Sequence, residues 1–404
     1  MKIFPDRAIG AIYSAGFISG ICRFPVWLLM ALYFSTYSHL SYIDIGIIFT
    51  IHGLAPVGIS PIAGRFSDRI GRKKLLLFSF AISEFAFLSM FVSTILNLND
   101  LVVIIAFIGD GIATALIRTF NRAMLSDLIK GNTHIKVFGT QRIFSNAGIG
   151  IGMLVAGLAF ESGPFMFFLL PIIGILAVIF IISMFVPETN VLKDIKNTPN
   201  PKILIGARTF GMFVLISIAS LVAIMYMTPM FPLFFEAVDK FTPFQISVFL
   251  SINTLIVVIF QIPVNRFAMR IGEIATISIG LFIYGICYLF IGMIYNFYLV
   301  AFIIAIISIG ENMVLPMGTV VVSKLAPADS RGYYMGLFSS ISGIVIPTGD
   351  FGGTFMIQYF TVHSFNSWIV LLLLSLTIAI ILPVYSRGSL RKIKPGTALE
   401  TINE

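Results

Sequence analysis

The sequence predicts an all-α polytopic membrane protein, with twelve transmembrane helices in two pseudo-symmetric six-helix bundles. Three observations carry that prediction. The 404 residues are 58% hydrophobic and 11% charged, with 40 Phe and a mean hydropathy of +1.01, more apolar surface than a soluble core of this length uses. Apolar runs recur twelve times, each near the roughly 20 residues that cross about 30 Å of hydrocarbon. Lys and Arg, finally, collect in alternate loops between those runs.

In chain order the predicted helices are Ala8–Phe34, Tyr42–Ala63, Leu75–Leu96, Leu101–Leu125, Val137–Phe160 and Phe165–Val186, followed by Thr209–Phe235, Phe244–Val264, Ala275–Ile294, Tyr298–Ser323, Tyr333–Phe360 and Ser367–Tyr385. The first run is too long for a signal-peptide core and no small-residue cleavage pattern follows it, so it is expected to be a membrane helix. A polar stretch from Pro187 to Arg208 divides the chain six plus six. The expected organisation is a first bundle over 1–187, a linker over 188–207, a second bundle over 208–386 and a tail over 387–404.

The N-terminus (Lys2, Arg7), the Arg65–Lys74 loop, the Arg122–Lys136 loop, the central lysines and the C-terminal tail are rich in basic residues. Ser35–Ser41, Asn97–Asp100 and Thr361–Asn366 have almost none. The positive-inside rule then predicts an even number of spans with both termini in the cytoplasm, the cytoplasmic membrane being the expected location.

Composition also excludes classes. Twenty-six Lys and Arg against 18 Asp and Glu give a formal charge of +8, but the basic residues sit in short loops, which argues against a nucleic-acid partner. Cys22 and Cys287 stand in apolar runs of opposite halves, so neither a disulfide framework nor a thiolate metal site is expected. The four histidines lack metal-ligand spacing. There is no G-x-x-x-x-G-K-[ST], H-E-x-x-H or G-x-S-x-G sequence, which argues against an ATP-driven pump and against an enzyme. No cofactor is expected.

The halves repeat at a fixed offset. Gly64-Arg-Phe-Ser-Asp-Arg-Ile-Gly71 aligns with Asn265-Arg-Phe-Ala-Met-Arg-Ile-Gly272, and Gly109-Asp110 with Gly310-Glu311. Two similar bundles that rock about a shared midplane site are a transporter arrangement. Within the first copy, Gly64, Asp68, Arg69, Gly71, Arg72, Lys73 and Lys74 form the most specific motif of the chain. Its glycines allow a tight reversal and its charges can latch neighbouring helices.

This motif resembles the G-x-x-x-D-R-x-G-R-R/K signature of the major facilitator superfamily. Arg118, Asp127, Arg142 and Asn146, with the Gly310–Pro316 run and Arg331-Gly-Tyr-Tyr-Met-Gly336, are similar to the twelve-helix drug:proton antiporter branch. The resemblance implies the major facilitator fold, with Asp68, Arg69, Arg72 and Asp127 as a cytoplasmic gate network. Helices one, four, seven and ten would surround a central cavity. The second copy departs from the motif at Asn265, Met269 and Glu273, so the full latch belongs to one half. The fifth helix lacks the Gly-Pro step common in antiporters.

Ionisable groups at membrane depth require a partner or a water-filled cavity. Arg23, Asp110 and Glu311 are expected to line the cavity on the family analogy. Low dielectric favours a neutral carboxyl and an approaching Arg an ionised one, so Asp110 or Glu311 is a candidate proton carrier, the alternative being a fixed helix-locking pair. Arg118, two turns beyond Asp110, is either a relay towards the gate or a snorkelling side chain. A local hydrogen bond is expected for Glu84, a buried hydrogen bond for His52, and a hinge or outer-gate position for Asp350. Trp27, Tyr226, Met230, Phe234 and Asn312 are the candidate substrate contacts, against the alternative that aromatic residues pack helices. The expected function is alternating-access secondary transport, by proton-coupled efflux of amphipathic organic compounds. A sugar, organic acid or other metabolite is the alternative, favoured if Asn253, Gln261, Asn312 and Gln358 ring the cavity. Its partners would be a small-molecule substrate, protons and the bilayer, with the monomer as working unit.

Overall fold

The computed structural model describes residues 7–129, 134–189, 206–225, 228–326, 331–360 and 364–390, with backbone only at 60–62, 64–69, 134–136, 331–333, 364 and 388–390. The first half comprises α1 (Arg7–Cys22), α2 (Phe24–Thr36), α3 (Tyr42–Ile70), α4 (Arg72–Leu96), α5 (Asp100–Leu128), α6 (His134–Glu161) and α7 (Pro164–Phe185). The second comprises α8 (Ala207–Ile224), α9 (Met230–Ala237), α10 (Pro243–Ile271), α11 (Glu273–Ile291), α12 (Phe297–Leu325), α13 (Arg331–Phe360) and α14 (Ser364–Leu390).

These helices make twelve passes, because α1 continues into α2 and α8 leads into α9. Eleven of the passes, among the described residues, are long and apolar enough to cross a membrane. The twelfth is α13, whose 30 residues are long enough but whose glycines, serines and Asp350 dilute its apolarity. The break between α1 and α2 falls at Arg23, just before Pro25, which has no N–H to donate to Ile21. The freed end of α1 packs against α6, where Gly148 and Gly152 let the backbones touch: a β-carbon on either would strike the carbonyl of Phe17 or Ile21.

The repeat read from the sequence is present in the backbone. Gly71 (φ 110°) separates α3 from α4, and Gly272 (φ 88°) separates α10 from α11. In both places a residue without a β-carbon takes a left-handed conformation and turns one long helix sharply into the next. Of the expected linker (188–207) and tail (387–404), residues 190–205 and 391–404 lie outside the described residues.

Within the first half α4 packs on α5 and α7, and α1 on α6 and α7; within the second, α11 packs on α12 and α14, and α8 on α12, α13 and α14. The halves meet along two seams, α3 with α13 and α6 with α10, and where α2 touches α9. The face bearing Arg7, Arg72, Arg270 and Arg387 is here termed the basic face. Cross-half hydrogen bonds lie towards the opposite face: Thr36 Oγ1 donates to Glu236 Oε1 (3.0 Å), Tyr42 N to Gln358 Oε1 (3.1 Å), Phe244 N to Glu161 Oε1 (3.1 Å) and Ser251 Oγ to the Gly150 carbonyl (2.8 Å). Among the described residues, the halves are thus tied together by hydrogen bonds towards the opposite face.

Candidate functional site: a buried ion pair in the first half

Arg23 owes its position to the α1–α2 break, which turns its side chain inward at membrane depth. Its Nη2 donates to Asp110 Oδ1 at 2.8 Å and also to Thr114 Oγ1, while Nε donates to Ser83 Oγ at 2.9 Å. Ser83 in turn donates to Asp110 Oδ1 at 2.5 Å. The Asp110 side chain is 2% exposed and that of Arg23 12%. Helical segments converge here because a buried charge is tolerated only when paired and hydrogen-bonded.

His52 of α3 approaches from the other side, with Nε2 3.9 Å from Asp110 Oδ2. Its ring stacks on Phe107 (4.5 Å between centroids) and lies 6.0 Å from Trp27. Among the described residues His52 Nε2 and Trp27 Nε1 are buried without hydrogen-bond partners. Asp110 therefore has an arginine holding one oxygen and an imidazole near the other. That arrangement allows it to exchange partners with modest side-chain movement.

The corresponding position in the second half is organised differently. Glu311 Oε2 accepts from Asn253 Nδ2 at 2.9 Å, and the same nitrogen donates to Ser308 Oγ at 2.9 Å. Asn312 Nδ2 donates to the Val257 carbonyl at 3.0 Å. Arg23 and Asp110 pair inside the first half, and Glu311, half-buried like Arg23, accepts from Asn253 of α10 in the second. Arg118 is exposed, one turn beyond Thr114 on α5.

Substrate candidates fare unevenly. Trp27 borders the ion pair, and Tyr226 lies outside the described residues. Met230 and Phe234 are 1% and 2% exposed; Met230 packs against Gly353, and Phe234 meets Trp368 edge-on at 4.8 Å. They and Asn312, 1% exposed, hold the second half together, as close packing of aromatic side chains dictates. Glu84 is also corrected, since both its carboxylate oxygens are buried without a partner among the described residues. The cleft of about 380 Å³ between α11 and α12 is lined by apolar residues such as Phe282, Phe290 and Phe302 and contains none of the cluster.

At the basic face Arg72 pairs with Asp127 and donates from Nη1 to the Ala123 carbonyl at 2.9 Å. Gly64, Asp68 and Arg69 belong to the last turns of α3, and their side chains lie outside the described residues. Glu188, which the sequence reading passed over, caps α4: its Oε1 accepts from Lys73 N (2.9 Å) and its Oε2 from Lys74 N (3.3 Å). A carboxylate immediately after the sixth apolar run, opposite a helix N-terminus rich in lysine, was the available signal.

The Major Facilitator Superfamily profile matches residues 12–241 and 212–401. The chain belongs to the major facilitator superfamily. Multidrug resistance protein 1 of Bacillus subtilis (strain 168) is 25% identical over 320 residues, covering 76% of this chain and 80% of that one. The Na(+), Li(+), K(+)/H(+) antiporter of Planococcus maritimus is 24% identical, with 77% and 83% covered. The quinolone resistance protein NorA of Staphylococcus aureus is 23% identical, with 74% and 77% covered. Among solved structures, a mutant of the nucleoside transporter NupG superimposes with a TM-score of 0.77 at 16% identity, covering 95% of this chain and 99% of that one. A POT family transporter gives 0.78 at 15%, covering 95% and 96%, and these two establish the fold. This superfamily member is a multi-pass membrane transporter.

Proposed function

We propose that this transporter exchanges protons for amphipathic organic compounds, exporting them across the cytoplasmic membrane by alternating access. The observation that carries the reading is the buried Arg23–Asp110 pair, whose carboxylate also faces His52. A membrane-embedded carboxylate that can trade a guanidinium for a proton supplies the two states a coupled carrier needs. By the positive-inside rule the basic face and both termini are cytoplasmic. The hydrogen bonds that tie the halves towards the opposite face support an inward-facing reading of this state.

The amides bear on substrate class: of the Asn253, Gln261, Asn312 and Gln358 set, Asn253 donates to Glu311 and Ser308, Asn312 to the Val257 carbonyl, and Gln358 accepts from Tyr42 N, which supports an amphipathic substrate over a sugar. The resistance proteins among the relatives support export of drugs.

In the cycle, substrate enters from the cytoplasm while Asp110 is paired with Arg23. With substrate bound and Asp110 ionised the halves rock outward, Arg72 and Asp127 bracing the closed cytoplasmic face. A proton from outside then takes Asp110 from Arg23 as substrate leaves, and the protonated carrier rocks back and gives the proton to the cytoplasm. Proteoliposomes with an imposed pH gradient test this, using lipophilic cations and sugars as alternative substrates and recording internal pH. Cation-elicited proton movement supports the reading; movement with sugars alone replaces it with metabolite transport.

A further inference from the structure

Asp350 of α13 is a buried carboxyl that the ion-pair mechanism does not use. It is 8% exposed and has neither hydrogen bond nor ion pair through its side chain among the described residues. Its Oδ2 lies 3.7 Å from where a β-carbon on Gly53 would stand, so the carboxyl is aimed at the notch that this glycine leaves in α3. Pro347 fills the rest of the notch, 3.0 Å from the same point, and its carbonyl accepts from Thr50 Oγ1 at 3.1 Å. Because α3 belongs to the first half and α13 to the second, Asp350 sits on a seam that must open when the halves rock.

Charged groups on the neighbouring elements face elsewhere. His52, adjacent to Gly53, is turned to Asp110 on the other side of α3, and Asp44 accepts from Ser41. Glu236 of α9 accepts from Thr36, Glu311 of α12 from Asn253, and Arg208 of α8 lies over the Tyr385 ring. Arg387 is in the last turn of α14, at the basic face. Among the described residues, therefore, no cation compensates an anion at Asp350, whereas the neutral acid fits.

We propose that Asp350 is a second proton-binding site, occupied when the α3–α13 seam is closed and emptied when the halves part at the outer face and water reaches it. The inference rests on the alternating carrier read above and adds a requirement: the outer face recloses only after Asp350 takes up a proton from outside. For one linked proton the open-to-closed ratio changes by at most about tenfold per pH unit.

Nitroxide labels at Asp44→Cys and Tyr359→Cys, in a Cys22→Ser/Cys287→Ser background, report the outer separation of α3 and α13 by pulsed electron resonance. In the otherwise unaltered chain the long-distance population grows as pH rises from 5 to 9. Asp350→Asn, which cannot ionise, stays in the short-distance state throughout. Gly53→Ala, whose β-carbon crowds Pro347, raises the long-distance share at every pH. Equal pH-dependent opening with and without Asp350→Asn, or opening indifferent to pH in both, overturns the proposal. Failure of substrate to move protons in proteoliposomes would instead remove the transport reading, so the two failures are distinguishable.

Discussion

Arg23 and Asp110, 87 residues apart, form a 2.8 Å ion pair buried among α1, α4 and α5, and the distance between these two groups is the variable on which proton coupling is proposed to turn. Replacing Asp110 by Asn leaves the Ser83 hydrogen bond possible but strands the guanidinium. Removing one partner of a buried pair costs about 3–5 kcal/mol, so the thermal midpoint of Asp110→Asn in detergent should fall. The double variant Arg23→Gln/Asp110→Asn should recover most of that stability without recovering uphill transport. Recovery of both would reduce the pair to a helix lock.

The two hinge glycines differ in surroundings. A β-carbon at Gly71 would lie 2.7 Å from Glu188 Oε2, whereas one at Gly272 would meet nothing within 4 Å. Both positions have a positive φ that costs a residue with a β-carbon about 1–3 kcal/mol, but only the first substitution also disturbs the cap on α4. Gly71→Ala should therefore lower the thermal midpoint more than Gly272→Ala, and Glu188→Ala should cost about 1–2 kcal/mol through the lost cap. Equal midpoints for the two glycine variants would contradict the asymmetry.

Asp239 lies in the loop between α9 and α10, where burial pushes its carboxyl up to about 7. The folded chain then holds a proton that the unfolded chain releases near pH 4, so this group's contribution to stability is lost as pH rises from about 4 to about 7. The thermal midpoint of the unaltered protein should decline across that range relative to Asp239→Asn, and the difference should level off above pH 7. Parallel pH profiles would show that Asp239 titrates normally.

The hydrogen bond between Thr36 and Glu236 joins the halves at the outer face. Oxidative cross-linking of Thr36→Cys with Glu236→Cys should arrest transport, and reduction should restore it. Full turnover by the cross-linked protein would mean that α2 and α9 never separate.

Fold was largely legible in the sequence because lipid imposes it: a run of about 20 apolar residues has few alternatives to a membrane helix. The Gly71 and Gly272 repeat was legible because both turns need the same backbone conformation. Arg23 and Asp110 stood out for the cost of burying charge, yet their direct pairing in one half was not legible, since it depends on the bend that Pro25 makes. Asn253, Ser83 and Glu188 look like ordinary polar residues in sequence; only contact reveals them as partners. The aromatic pattern around Met230 and Phe234 suits substrate contact and helix packing equally well in a chain with 40 Phe, so sequence alone does not separate the two.

The most direct test of the coupling compares two assays of Asp110→Asn in proteoliposomes, uphill substrate accumulation driven by a pH gradient and gradient-free counterflow of labelled substrate. Loss of accumulation with counterflow preserved is the result predicted for a carrier that still alternates but no longer binds its proton; accumulation equal to that of the unaltered protein would contradict the assignment of Asp110.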